Sequence, residues 1–256
     1  MRSTTVWLTV LLSTSLLALS ACGDDDADAG QTRVENYLKS DNFSRLVLEV
    51  DYVDGYEPYA ETDAEITGRL EGLVDKPDGV AVERDQTITS RGEDHEWTNS
   101  ELFALAEDNN DLSVGDNTIK MHVTFVDGHY EADDGDSRIL GLAWENQNIV
   151  IFKKTLEDSC RGGLLSGDEL CKFAERAIWT HEIGHVLGLV NAGVEPQSNH
   201  QDIEHGRHCN NDECVMYWAY EGTDVMDVLR DRLGGEATLD FDAACKEDLR
   251  VVREGE

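Results

Sequence analysis

The chain has 256 residues and a formal net charge of −33, from 54 Asp and Glu against 21 Lys and Arg. That length holds one large domain or two small ones. A surface this acidic repels polyanions, which argues against nucleic acid or anionic lipid headgroups as partners.

Met1-Arg2 leads into an apolar run from Val6 to Leu19 that closes on Leu19-Ser20-Ala21-Cys22. A basic start, a short apolar core and small residues before a cut describe a secretory signal over residues 1–21. The ending resembles a bacterial lipobox, which implies cleavage before Cys22 and lipidation of that residue. The expected product is an exported lipoprotein of a bacterial cell envelope, touching the membrane through its lipid anchor alone. Residues 22–41 are rich in Asp, Ala and Gly and read as an acidic flexible tether. Residues 42–256 read as the folded domain, with an upper part over 42–188 and a lower part over 189–256.

Phe43–Val53 (FSRLVLEVDYV) has the near-alternating β-branched and aromatic content of a strand. Ile66, Leu70, Leu73 and Val74 sit at helical spacing within Ala64–Val74. Val80–Ile88 is a short strand candidate, and Thr98-Asn-Ser-Glu101 is a capping box that opens a helix. Strands follow at Ile119–Val126 and Asn148–Phe152. Ser166-Gly-Asp-Glu169 is a second capping box, opening a long helix that carries His181 and His185. Strands alternating with helices predict a mixed α/β sheet covered by helices. Beyond Gly188 regular signals fade, as expected of a small loop-rich lower half.

His181-Glu182-Ile183-Gly184-His185 carries the chemistry. Residues four apart on a helix share a face, so both imidazoles can reach one tetrahedral Zn²⁺. Glu182 adjoins the first ligand without being one, and can act as general base on a water activated by the metal. That arrangement predicts zinc-dependent hydrolysis of a peptide bond.

The segment reads HExxHxxG through Gly188, and Cys214-Val215-Met216-Tyr217 looks like the methionine turn of metzincins. His208-Cys209, four residues, Cys214 and Met216 resemble the HCx₄CxM pattern of archaemetzincins. The resemblance implies a five-stranded mixed sheet with a backing helix and an active-site helix above a small C-terminal subdomain. It implies His208 as third zinc ligand, displaced by an insertion over 191–207, and Gly141–Asn146 as the strand at the cleft edge. Asn191 occupies the usual third-ligand spacing but carries a neutral amide. His200 and His205, inside the insertion, also compete for that place. Archaemetzincins hold a second zinc on four cysteines, and Cys209, Cys214 and Cys245 resemble three of them, with Asp242 in the fourth place. A Cys₃Asp zinc site and a Cys209–Cys214 disulfide with Cys245 free are both open readings in an oxidising compartment. Cys160 and Cys171 flank a Gly-rich loop and read as a disulfide. His95, His122 and His129 have no ligand spacing, and Tyr217 and Tyr220 near the turn read as packing residues, with hydrogen bonding to a transition-state oxyanion as the alternative. The expected protein is therefore a monomeric zinc endopeptidase acting on extracytoplasmic proteins or peptides. A silent zinc-containing binding lipoprotein and a zinc hydrolase of non-peptide amides are the rival readings.

Overall fold

The computed structural model describes residues 24–134, 138–161, 167–222, 225–226, 228–229 and 239–255. Cys22 and the signal lie outside these residues. Helix α1 covers Asp24–Leu38, followed by β1 (Arg45–Val53), α2 (Ala60–Leu73), β2 (Val80–Ile88), β3 (Glu96–Trp97) and α3 (Asn99–Asn109). Then come β4 (Thr118–Val126), β5 (His129–Tyr130), β6 (Gly141–Trp144), β7 (Asn148–Phe152), α4 (Lys153–Arg161) and α5 (Asp168–Val186). The lower half holds β8 (Gln201–Asp202), β9 (His208–Cys209) and α6 (Ala243–Glu254).

Five strands form one sheet in the order β2-β1-β4-β7-β6. The first four run parallel, and β6 pairs antiparallel with β7 at the edge. Alternation along the strands splits the core in two. Phe125, Ile149 and Ile151 join the large core shared with α5, whereas Val126, Val150 and Phe152 join a smaller cluster with Trp97 and Leu102 of α3. Strand side chains point to opposite faces with a period of two, so one β-rich run serves both layers. The capping box at Thr98 forms as expected: the Glu101 N–H donates to Thr98 Oγ1, and the Glu101 carboxylate accepts from Thr98 N–H.

Helix α5 is buried on nearly every side, with each residue from Ala177 to Gly184 sealed from solvent. A helix buried all round is one that runs through the core rather than over it. Its cap position is Gly167; Ser166 of the expected capping box lies outside the described residues. The helix stops at Gly188, whose φ of +79° suits a residue without Cβ.

One expectation needs correction. The tether over 22–41 does not stay free: α1 is a helix, and Val34, Tyr37 and Leu38 are buried. These three residues have i, i+3, i+4 spacing, enough to dock a polar helix, and the Tyr37 hydroxyl donates to Lys120 O at 2.9 Å. The lower half is loop-rich as expected, and its longest regular element among the described residues is α6, which runs for 12 residues with Asp242 as its cap. Helix α4, absent from the sequence reading, buries Leu156 and Cys160 one turn apart beside Lys153 and Thr155.

Candidate metal centre

His181 and His185 lie one turn apart on α5, with their Nε2 atoms 3.1 Å from each other. His181 Nδ1 donates to Val215 O at 2.7 Å, which leaves the Nε2 lone pair for another partner. His208 arrives on β9, and its Nδ1 donates to His205 O at 2.6 Å. A carbonyl accepts only, so both imidazoles are held in the tautomer that presents a bare Nε2. His181, His185, His208 and Glu221 each offer one ligand atom, and all four atoms lie within 4.8 Å of one another. A converging set of fixed imidazole nitrogens and a carboxylate fits Zn²⁺ in donor type and spacing.

The local fold explains the convergence. The Cys209 N–H donates to Met216 O at 2.8 Å, tying the His208 ribbon to the methionine turn. Met216 lies directly against α5: a Cβ on Gly184 would stand 2.2 Å from Met216 Sδ. Only glycine at this position lets the turn sit beneath the two histidines. On the other side, the β6–β7 turn clamps the helix end. Asn146 Nδ2 donates toward the carbonyls of His185, Val186 and Ala192 at 3.3–3.4 Å.

Burial sets the protonation of the centre. It pulls His181 down to about 4, with the neighbouring His208 adding to the effect, and takes His185 well below its usual value. Both imidazoles are neutral at pH 7, the form that binds metal. Burial first, and then the Glu221 charge, raise Glu182 well above the carboxylate range. Glu182 Oε1 is buried without a hydrogen-bond partner. It faces a cleft of about 160 Å³ bordered by Leu142, Ala143 and Trp144 of β6, by His185 and by Glu221.

Of the competing third ligands, Asn191 is exposed and occupies a left-handed backbone position, φ 64°. His205 is bound to Asp202 at 2.7 Å and stacks on Trp218. His200 belongs to a second cluster. Cys209, Cys214 and Cys245 are buried and unbridged, so of the two open readings the Cys209–Cys214 disulfide is not formed. Cys214 Sγ and Cys245 Sγ are 3.6 Å apart, and His200 Nδ1 is 3.6 Å from Cys209 Sγ and 3.9 Å from Cys245 Sγ. His200 Nε2 bonds the buried Asp248 at 2.7 Å, the partner that orients a ligating imidazole. Cys214 Sγ accepts from the Met216 and Asp242 amides. Hydrogen bonding among the three thiols holds Cys209 far below the thiol range and pushes Cys214 and Cys245 upward, with burial adding to the rise. Asp242 comes near with Oδ2, 3.6 Å from Cys209 Sγ, but that oxygen also accepts from Asn211 while Oδ1 caps α6. Imidazole therefore competes with Asp242 for the fourth place, a role that sequence reasoning missed. Glu221 was missed too. No spacing links either residue to the motif.

Away from both clusters, Cys160 and Cys171 are disulfide-bonded. His122 is buried against Asp51, His95 faces Glu101, and His129 bonds Thr155.

No protein-family model matches the chain, and no curated protein matches it. Solved structures do. The archaemetzincin of Methanopyrus kandleri superposes with a TM-score of 0.51 at 16% identity, covering 82% of this chain and 97% of that one. A zinc-dependent peptidase of Methanocorpusculum labreanum gives the same TM-score and identity, over 79% and 99%. The mixed five-stranded sheet with its helices is thus the fold shared with these proteins.

Proposed function

We propose that the chain is a zinc-dependent peptidase that acts outside the bacterial cytoplasm on proteins or peptides, held to a membrane by lipid on Cys22. The observation that carries the catalytic part is the meeting of His181, His185 and His208 beside the sealed, unpartnered carboxyl of Glu182. Zinc, when bound by the three imidazoles, supplies a Lewis acid for the scissile carbonyl and acidifies a water. Glu182 takes the proton from the attacking water at its Oε atoms and hands it to the leaving amine. Strand β6 ends the sheet and borders the cleft, so its outer edge can pair with an extended peptide backbone. That edge favours a peptide over another amide, and a binding lipoprotein would have no use for Glu182. His200, Cys209, Cys214 and Cys245 are proposed to hold a second, structural zinc.

Glu182→Gln should retain zinc and fall by about 10²–10⁴-fold in hydrolysis of a peptide library. Hydrolysis at the wild-type rate would overturn the assignment. Incorporation of labelled palmitate tests the anchor, and an unlabelled protein removes it.

A further inference from the structure

We infer that Glu221 is a fourth protein ligand of the histidine centre and closes it at rest, so that a substrate enters by displacing this carboxylate. The inference rests on the zinc reading above. Glu221 Oε1 stands 3.3 Å from His208 Nε2 and 3.9 Å from His185 Nε2. Donors at tetrahedral positions around zinc, with bonds of about 2.0–2.2 Å, are separated by about 3.3–3.6 Å. The carboxylate oxygen therefore sits near the vertex that three histidines leave open.

A doubly protonated His208 pairs with this carboxylate through Nε2, whereas the metal-binding imidazole keeps its single proton on Nδ1, against His205 O, and has none on Nε2 to donate. Two lone-pair atoms facing each other in a buried cluster repel unless a cation lies between them. Nor is Glu221 needed to orient His208, because the His205 carbonyl already does so.

The backbone delivers the carboxylate to this point. Glu221 ends a 3-10 turn, Trp218–Glu221, directly after the methionine turn. Its carbonyl accepts from Leu140 N–H at 2.8 Å, and Gly222 bridges Ile139, fixing the turn to the segment that enters β6. The side chain differs from the histidines in one respect. It is 36% exposed, whereas those of His181, His185 and His208 are far more buried. Swinging into solvent costs little for a carboxylate already about a third exposed, so it is the ligand that can leave. A site with four protein ligands has the saturation of a structural centre, and one that can lose its fourth becomes catalytic.

The test uses the full chain loaded with Co²⁺, read through the visible bands that His181→Ala abolishes. Chelator competition gives metal affinity, and titration with acetohydroxamate gives access to the fourth position. Glu221→Ala and Glu221→Gln should each weaken metal binding by about 10–100-fold. Both should tighten hydroxamate by 10-fold or more, because nothing has to be displaced. A carboxylate that only accepts a hydrogen bond from the bound hydroxamate predicts the opposite sign, weaker inhibitor in both variants. That result, or an unchanged inhibitor affinity with metal still bound, overturns the role of Glu221 alone. Absence of any His181-dependent band in the wild type overturns the metal reading on which it rests.

Discussion

Gly141 has no room for a methyl group. A Cβ there would stand 2.7 Å from Glu182 Oε1 and 2.8 Å from its Cγ, and Glu182 has no solvent to retreat into. Gly141→Ala should therefore move the carboxylate proposed as general base while leaving the imidazoles in place. A misplacement of about 1 Å costs on the order of 10²-fold in rate. The expected outcome is a kcat/KM about 10²-fold lower with zinc content unchanged. An alanine variant with full activity would show that Glu182 tolerates the shift and is not held for proton transfer. Gly184 makes a parallel case on the opposite side of the helix, where Met216 and Phe241 leave no space. The HExxH spacing points to three of these side chains in the bare sequence. The glycines that let them fit become visible only when the neighbours are placed.

At the scale of elements, α5 reaches the core with a charge on its back. Glu175 is fully buried, accepts from Tyr59 N–H at 2.9 Å and Thr62 Oγ1 at 2.7 Å, and pairs with Lys153 at the start of α4. Lys153 also lies 3.5 Å from the centre of the Tyr59 ring. Burial pushes Glu175 up and Lys153 down, each offset by the other. Removing one partner of such a pair strands the other, at about 3–5 kcal/mol. Lys153→Met should lower unfolding stability by that amount, and Lys153→Met with Glu175→Gln should recover most of it. Equal losses in the single and double variants, measured by urea unfolding, would mean that the pair is not coupled. The same pair explains part of what sequence could not disclose. Strands β1, β4 and β7 announce themselves by β-branched runs, and α3 by its cap. Helices α4 and α6 are short and mostly polar, and each sets a charged residue, Lys153 or Asp248, beside an apolar pair one turn apart, Leu156 and Cys160 or Cys245 and Leu249, so their apolar faces are narrow. Helix α1 is hidden among Asp residues, with three docking side chains at its far end. The site divides likewise. His208 is legible through its adjoining Cys209 and Met216, but His200 and Glu221 reach their clusters through loop paths that carry no period.

On the scale of the whole molecule, the two clusters hold different things together. The first joins α5 of the upper half to His208 and Glu221 of the lower. The second lies within the lower half and ties the inserted loop, the β9 ribbon, the methionine turn and α6 through His200, Cys209, Cys214 and Cys245. Structural zinc on thiolates binds with roughly 10–16 kcal/mol in small peptides, as much as a whole domain's net stability of about 5–15 kcal/mol. The lower half has little sheet or helix of its own to replace that contribution. A charge of −33 across the chain adds self-repulsion that each bound cation offsets. Metal removal should therefore proceed in two stages. A weak chelator should strip the histidine centre first, abolishing hydrolysis with the melting temperature nearly unchanged. A strong chelator with a thiol reagent should then empty the cysteine cluster, and residues 189–222 and α6 should lose amide-exchange protection while β1, β4 and β7 keep theirs. Metal analysis should find close to two zinc ions per chain at the start and one between the stages. A single zinc throughout, or loss of protection spread evenly over sheet and lower half, would show that the cysteine cluster is not a metal-built support.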